Sequence, residues 1–271
     1  MTPDRLASDA VALCRALGLG DGRVELLNAG HRATLVLLPQ RVILRVATGP
    51  ESDVTAAREL AVARFLAAQG APVAAPLAEA GPHQLADGVV TLWPWIDHDR
   101  VAGDDDAELA GATLAALHRA FAGYDGALPP YTDALDGVAL LLADPTAVPV
   151  LAGDDRLLLN AQFARLRAAT GGADAWTPIH GDAHPGNLLL GGVGPVWVDC
   201  EDACLGPAEY DIACLPSSAW PRFTEADQAL IAGFAALRSV CVATWCAARP
   251  ADGDAREALA HHLTEVRGFP A

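Results

Sequence analysis

The sequence predicts an α+β fold in which a small β-sheet with one main helix precedes a larger, mostly helical part. Strand patterns and one long helix pattern occupy residues 23–93, a Trp-Pro-Trp segment follows, and helical patterns dominate from residue 104 onwards. The 271 residues, of which 52% are hydrophobic, suffice for one large domain or two smaller lobes.

Five strands are predicted in the first part. The clearest is 41–47, where Val42 and Leu44 fall on one face and Arg45 falls on the other. The other four are predicted at residues 23–27, 33–38, 76–80 and 89–93. These strands would form one five-stranded sheet.

Two helices are predicted within this first part, a short one at 9–17 and a long one at 53–69. The long helix carries Glu59 on its apolar stripe, where an unpaired charge is costly to bury. Further helices are predicted in the second part, at residues 106–118, 138–142, 156–169, 224–247 and 254–266.

The most informative stretch runs from His180-Gly181-Asp182 through Asn187 to Asp199. Residues 188–190 and 196–198 read as a hairpin around a glycine-rich turn, which would fold Asp199 back towards Asp182 and Asn187. Three oxygen ligands would then lie at one end of a small sheet. Such a sparse oxygen set suits Mg²⁺ bound through phosphates, with one carboxylate left to accept a hydroxyl proton, as in phosphoryl transfer.

This stretch resembles the aminoglycoside phosphotransferase/choline kinase family, whose members are protein-kinase-like small-molecule kinases. The resemblance is carried by the HGDxxxxN pattern at 180–187, by Asp199, and by the stretch 205–211, and it extends more weakly over 23–245. It implies a bilobal protein-kinase-like fold. The N-terminal nucleotide-binding lobe would span residues 1–93, the hinge 94–99, and the helical C-terminal lobe 100–271.

The resemblance also implies roles for five residues of this region. Asp182 looks like the catalytic base, and Asn187 and Asp199 look like the metal ligands. His180 and Asp211 look like structural supports of the catalytic loop, Asp211 through backbone amides. The roles of His184 and Glu201 stay open.

On the nucleotide side, the resemblance places Arg45 where relatives more often carry lysine, touching phosphates and pairing with Glu59. The alternative is an Arg45 on an exposed strand face with a solvated Glu59. Gly30 lies in the turn that would cover the nucleotide. Backbone groups of the hinge region would hold the adenine, with these residues as candidates: Trp93, Trp95 and Ile96. The two tryptophans are equally compatible with packing alone.

The predicted activity is ATP- or GTP-dependent transfer of a γ-phosphoryl group to a hydroxyl of a small molecule, an aminoglycoside-like or other amine-bearing antibiotic. A metabolic kinase acting on choline, homoserine, a sugar or a fructosamine is the alternative, and a catalytically idle nucleotide-binding regulatory protein is another. His180 and His184 are spaced like a metal-binding pair on a helix, but Pro185 and Gly186 argue against a helix there and against a zinc hydrolase.

Composition excludes several classes of protein. All 18 basic residues are arginines, so chemistry that needs a lysine, such as a Schiff base or a P-loop, is excluded. The net charge of −16 disfavours nucleic-acid binding and suits a cationic small molecule, although it equally describes a solvated surface. Six cysteines without CxxC spacing indicate buried thiols in a reducing compartment, the cytoplasm by default. No membrane span and a monomer or homodimer are expected.

Overall fold

A computed structural model describes residues 3–29, 32–49, 51–86, 88–172, 176–249 and 253–269. The chain forms two compact units. The first comprises Met1–Ala102, Ala115–Ala127 and Gly186–Ala203, and the second comprises Gly103–Leu114, Leu128–Pro185 and Cys204–Ala271. The chain therefore enters each unit more than once, whereas the lobe and hinge boundaries expected from the sequence stay a prediction.

The described residues contain eight α-helices and ten strands. The helices are α1 Pro3–Ala16, α2 Ser52–Ala68, α3 Ala107–Phe121, α4 Thr132–Ala143, α5 Gly153–Thr170, α6 Ala208–Ile212, α7 Gln228–Ala247 and α8 Gly253–Arg267. The strands are β1 Arg23–Ala29, β2 Ala33–Leu38, β3 Val42–Ala47, β4 His83–Leu85, β5 Gly88–Pro94, β6 Arg100–Val101, β7 Thr177–Ile179, β8 Leu188–Gly191, β9 Gly194–Trp197 and β10 Cys204–Gly206.

The main sheet of the first unit has five antiparallel strands in the order β1-β2-β3-β5-β4. The alternation predicted for β3 is confirmed, since Val42, Leu44 and Val46 are buried and Arg45 is half-buried on the opposite face. The buried face packs with residues such as Leu35 into one apolar cluster. Burying these side chains stabilises the sheet by about 25 cal/mol for each Å² of apolar surface removed from water.

The strand predicted at 76–80 is wrong, because the fourth strand of the sheet is β4. The Ala80 N–H donates to the Leu77 carbonyl at 3.1 Å and closes a turn. Leu77 itself bonds to the Leu92 carbonyl of β5 at 3.3 Å. The segment thus touches β5 but bends before a ladder can form.

The hairpin predicted around residues 188–198 is confirmed as β8 and β9, which pair from Leu188–Trp197 to Gly191–Gly194. Strand β6 adds to the β8 edge and makes a three-stranded sheet. The Ala74 N–H donates to the Trp197 carbonyl at 2.9 Å and joins this small sheet to the segment that follows α2. Within the first unit, the hairpin is therefore held beside the main sheet and its helix.

The second unit is mostly helical, with one two-stranded sheet formed by β7 and β10. Its core contains buried side chains of α4, α5, α7 and α8, among them Phe163, Phe234 and Leu237. By length and hydropathy, α7 is the one described helix that could cross a membrane, yet half of its apolar window is buried inside the protein. Its composition is that of a core helix.

All six cysteines are free and buried, which confirms the expectation of buried thiols. Burial raises the pKa of Cys214 and of Cys241 to about 12, so both remain neutral thiols at physiological pH.

Candidate functional site

Strand β3 and helix α2 bring Arg45 and Glu59 together. An Arg45 guanidinium nitrogen donates to Glu59 at 2.6 Å, and the Glu59 side chain is fully buried. Burial raises the pKa of Glu59, and the charge of Arg45 opposes that effect. Burial also works against the Arg45 charge, but the carboxylates around it outweigh burial and raise its pKa further. Each charge is therefore tolerated because the other is present.

The β8–β9 hairpin places Asn187 and Asp199 at its open end. The Val198 N–H donates to the Asn187 carbonyl at 2.9 Å, which fixes the two flanks of the hairpin next to each other. Asp199 accepts a hydrogen bond from Arg45 at 2.7 Å. Its backbone has a φ of 67°, in the left-handed region that non-glycine residues rarely adopt. The local fold therefore holds this carboxylate in a strained position next to the arginine.

Two further side chains complete this network. Arg32, between β1 and β2, donates to Glu59 at 2.9 Å and contacts Glu201 through its Nε. Burial raises the pKa of Glu201 to about 8, and the neighbouring Asp199 carboxylate adds to that effect. Glu201 Oε2 is buried, it is the oxygen that the Arg32 Nε contacts, and Arg45 lies 3.7 Å from it. Three carboxylates therefore share two guanidinium groups.

The network opens onto a cavity of about 280 Å³ in the first unit. The walls of this cavity are mostly apolar, and they include six of the residues discussed: Arg45, Glu59, Trp93, Trp95, Ile96 and Asp199. The Trp93 indole is buried and donates to the Thr91 hydroxyl at 2.9 Å, so its polar atom is satisfied within the sheet. Gly30, the glycine predicted to cover the nucleotide, lies outside the described residues.

The second unit contains the loop with His180, Gly181 and Asp182. The buried Asp211 carboxylate accepts hydrogen bonds from the backbone N–H groups of His180 at 2.7 Å and of Gly181 at 2.8 Å. Gly181 has a φ of 86°, which glycine adopts without a steric penalty. The Asp182 N–H in turn donates to the His180 ring at 3.3 Å. The loop is thus fixed through its backbone.

The Asp182 side chain lies between two basic groups of the same unit. Arg238 of α7 donates to one of its oxygens at 2.6 Å, and the His184 Nε2 lies 3.5 Å from the other. Burial alone would raise the pKa of Asp182, but Arg238 and His184 outweigh it and hold that pKa below its usual range. The carboxylate is therefore ionised at physiological pH and can accept a hydrogen bond or a proton.

The histidine pair considered for zinc does not form a metal-type cluster. Among the described residues, the cluster of potential ligand atoms close enough to share an ion consists of His261, His262 and Glu265 on α8. His180 is almost completely buried, and its ring accepts from the backbone of its own loop. This arrangement disfavours the zinc-hydrolase alternative.

Sequence reasoning missed Arg32 and Arg238. Arg238 carried a readable signal, because it is the single charged residue within the otherwise apolar α7. A lone charge in a core helix is costly unless it has a partner, and here the partner is Asp182. Arg32 carried no such signal in its surroundings.

Comparisons with known proteins identify the family and the fold class. Residues 23–251 match the model of a family described as "Phosphotransferase enzyme family". A solved structure of the amicoumacin kinase hAmiN in complex with AMP-PNP, Ca²⁺ and Ami is similar, with a TM-score of 0.70, 16% identity, and coverage of 98% of this chain and 96% of that one. A choline/ethanolamine kinase family protein from Mesorhizobium loti has a TM-score of 0.66, 15% identity, and coverage of 100% and 96%. These likenesses confirm the predicted α+β, protein-kinase-like fold class.

A curated relative, stress response kinase A of Salmonella choleraesuis, is 32% identical over 157 residues, which are 52% of this chain and 45% of that protein. The match thus spans less than half the length of this relative. The family match, in contrast, spans most of the present chain. It includes strand β3 with Arg45, the loop that contains Asp182, and the β8–β9 hairpin. The chain belongs to the phosphotransferase enzyme family.

Proposed function

We propose that the protein is a kinase that transfers the γ-phosphoryl group of ATP to a hydroxyl of a small molecule. The observation that carries this proposal is the Arg45–Glu59–Asp199 network at the cavity of the first unit, in a chain that also holds an ionised Asp182. Phosphoryl transfer needs little covalent chemistry from the protein. It needs positioning and charge compensation, which such side chains supply.

The nucleotide occupies the cavity of the first unit in this proposal. Its phosphates contact Arg45, whose planar guanidinium can bind phosphate through two parallel hydrogen bonds. Its base lies against Trp95 and contacts the backbone of Ile96. Trp95 itself is a poorer candidate for the backbone contact, because its N–H already donates to the Arg41 carbonyl at 2.9 Å.

Asn187 and Asp199 would hold a divalent cation, which we propose to be Mg²⁺. The Glu201 carboxyl group lies close to Asp199 in a network where three carboxylates share two guanidinium groups, and this excess of oxygen donors fits such a cation. An all-oxygen donor set suits a hard ion such as Mg²⁺. When bound, the ion neutralises phosphate charge.

Asp182 would orient the acceptor hydroxyl and take its proton. A depressed pKa makes it a weak base, but it also keeps the carboxylate ionised and able to accept the hydroxyl hydrogen bond at neutral pH. Asp211 would keep Asp182 in place by holding the backbone of the loop, with His180 as a second support.

The acceptor is proposed to be a small hydroxyl compound, with an amine-bearing antibiotic as the first class to examine. Names of relatives point in several directions, since hAmiN was solved with Ami and another similar structure is an aminopropanol kinase. A metabolic acceptor therefore belongs in the same screen.

The buried free thiols support a reducing compartment and hence a cytoplasmic location.

The test is a phosphorylation screen of the whole protein with ATP and GTP against antibiotics, amino alcohols, sugars and hydroxy acids. Product is identified by mass spectrometry, and each positive reaction is repeated with a chelator of divalent cations. A phosphorylated hydroxyl product that disappears with chelator is expected. Nucleotide binding without turnover on any acceptor would instead favour an idle regulatory module.

A further inference from the structure

Arg238 has more hydrogen-bonding capacity than the protein uses. A guanidinium group has five N–H donors, and within the described part of the chain Arg238 makes one hydrogen bond, to Asp182 at 2.6 Å. Its side chain is 22% exposed, and no nitrogen of it is among the buried atoms that lack a partner. Its unused donors are therefore open to solvent in the immediate surroundings of Asp182.

The groups near Arg238 keep its positive charge available. Tyr210 is half-buried and Cys214 is buried, and the loss of solvent raises the pKa of both, so neither supplies a negative charge to Arg238 at neutral pH. Asp182 contacts Arg238 with one oxygen and His184 with the other. Among the described residues, the Arg238 guanidinium thus contacts one carboxylate through one of its nitrogens, which leaves the other nitrogens for a second anionic group.

We propose that Arg238 binds a carboxylate on the acceptor substrate, so that the substrates are small hydroxy acids or hydroxy-amino acids. This inference rests on the proposed kinase function. An acceptor whose hydroxyl bonds to Asp182 lies next to the guanidinium that contacts the same carboxylate at 2.6 Å, and a carboxylate matches the paired donors of arginine. With hydrogen bonds of about 2.8 Å at each end, the hydroxyl and the carboxylate would be roughly 3–6 Å apart, a separation that a short carbon chain spans.

The net negative charge that would suit a cationic acceptor is partly paired within the protein. Asp136 of α4, for example, already bonds to Arg167 at 2.5 Å. An amine on the acceptor is compatible with the proposal, because a hydroxy-amino acid carries both groups. The competing explanation is that Arg238 only braces Asp182.

Matched acceptor pairs that differ by one carboxylate test the proposal with the whole protein, ATP and Mg²⁺. The pairs are serine and ethanolamine, homoserine and 3-aminopropan-1-ol, and glycerate and ethane-1,2-diol. A charged hydrogen bond predicts that kcat/KM for the acid of a pair exceeds that of its partner by about 10–100-fold. Binding of each compound to the protein with AMP-PNP and Mg²⁺ is measured in parallel by calorimetry.

Variants of Arg238 separate carboxylate binding from bracing. Arg238→Gln should abolish the preference for the acid by raising its KM, while the KM of ATP stays unchanged. Arg238→Lys should retain part of the preference, since it keeps the charge but loses the paired donors. Arg167→Gln, which removes an arginine that also bonds to a single aspartate of the same unit, is the matched control and should change neither. Thermal melts establish that each variant folds.

The outcomes separate this inference from the function on which it rests. Acids that bind in an Arg238-dependent manner without being phosphorylated would support the carboxylate site and contradict the kinase. Phosphorylation of amino alcohols in preference to the acids would contradict the carboxylate site and support the kinase. Equal losses for both members of each pair in Arg238→Gln, or no Arg238-dependent preference in either transfer or binding, would reduce Arg238 to a brace and overturn the inference.

Discussion

Glu201 in the first unit and Asp182 in the second are both largely removed from water, yet their pKa values move in opposite directions. Burial raises the pKa of Glu201 to about 8, and the nearby Asp199 carboxylate adds to that shift. Burial acts the same way on Asp182, but Arg238 and His184 outweigh it and lower the pKa. The balance between burial and the neighbouring charges decides the sign of the shift: burial and Asp199 outweigh Arg45 and Arg32 at Glu201, whereas Arg238 and His184 outweigh burial at Asp182.

This difference separates two kinds of chemistry within one chain. In the first unit, Glu59, Asp199 and Glu201 share Arg32 and Arg45, and Glu201 keeps its proton at neutral pH; a divalent cation bound beside it would displace that proton. In the second unit, the Asp182 carboxylate contacts Arg238 and His184, and its lowered pKa keeps it ionised at neutral pH without a bound metal ion. The first arrangement suits binding of a metal-nucleotide, and the second suits a group that must accept a hydrogen bond at neutral pH.

The largest effect is expected at Asp182. Asp182→Asn should lower kcat by about 10²–10⁴-fold while nucleotide affinity is nearly unchanged, because this side chain acts in the chemical step. Steady-state kinetics and calorimetric titration with AMP-PNP measure the two quantities. Asp133→Asn, at an exposed position of α4, is the control. Turnover of Asp182→Asn above a few per cent of the wild-type value would remove Asp182 from the catalytic role.

A somewhat smaller loss is expected at the proposed metal ligands, Asn187 and Asp199. Asp199→Ala should lower kcat/KM by roughly 10²–10³-fold, since a bound cation supplies several kcal/mol of charge stabilisation. Asn187→Ala should lose less, and raised Mg²⁺ should partly restore its activity. Kinetics over a range of Mg²⁺ concentrations measure both effects. Activity that is indifferent to chelator or to Asp199→Ala would contradict this metal site.

Arg45 and Glu59 are expected to behave as one unit. Each single change to Ala should raise the KM of nucleotide and lower turnover, by about 10–100-fold in kcat/KM, because each leaves a buried charge without its partner. Glu59→Ala should be the worse of the two, since Glu59 also bonds to Arg32. The double variant should be little worse than Glu59→Ala alone. Arg45→Lys should retain partial activity, and purely additive losses would contradict the pairing.

Arg32 should make the smallest contribution to catalysis among these residues. Arg32→Gln is expected to raise the KM of nucleotide by roughly 3–10-fold, because it loses charge-assisted hydrogen bonds at the network but leaves Arg45 in place. Arg23→Gln, which removes an exposed arginine paired with Glu25, is the matched control. An unchanged KM in Arg32→Gln would mean that Arg32 serves only to hold Glu59 and Glu201.

Local patterns were sufficient for much of the fold. The alternation in β3 and the glycine-rich turn of the hairpin are properties of short segments, so β3, β8 and β9 could be predicted from sequence. The strand predicted at 76–80 is wrong because Pro, Ala and Glu, which make up most of this segment, are depleted in strands, and because the chain turns at Ala80.

The contacts of the candidate site also fall into those that the sequence could predict and those that it could not. Arg45 and Glu59 lie on adjacent elements and each occupies a predictable face, so their proximity could be anticipated. Arg238 and Asp182 are 56 positions apart, and Arg32 and Glu59 are 27 apart. Such pairs depend on how helices and loops pack in three dimensions, which periodicity does not encode. The residues that sequence reasoning missed are therefore those whose partners come from distant segments.

Asp182 and Glu201 should give opposite pH dependences of stability. Stability is measured by urea unfolding in the absence of nucleotide and Mg²⁺. The pKa of Asp182 is lower in the folded state than in the unfolded chain, so its stabilisation is complete above the unfolded value of about 4 and is lost as the pH falls through the folded value. The free energy of unfolding of the wild type relative to Asp182→Asn should therefore decrease on acidification. For Glu201 the folded pKa is the higher one, so relative to Glu201→Gln the wild type should lose stability as the pH rises from about 4.5 towards 8. At about 1.4 kcal/mol for each pKa unit, the shift at Glu201 corresponds to at most about 5 kcal/mol, and for Asp182 the prediction is the sign of the slope. Slopes of the same sign for the two positions would show that depth of burial, and not the identity of the neighbours, controls these carboxylates.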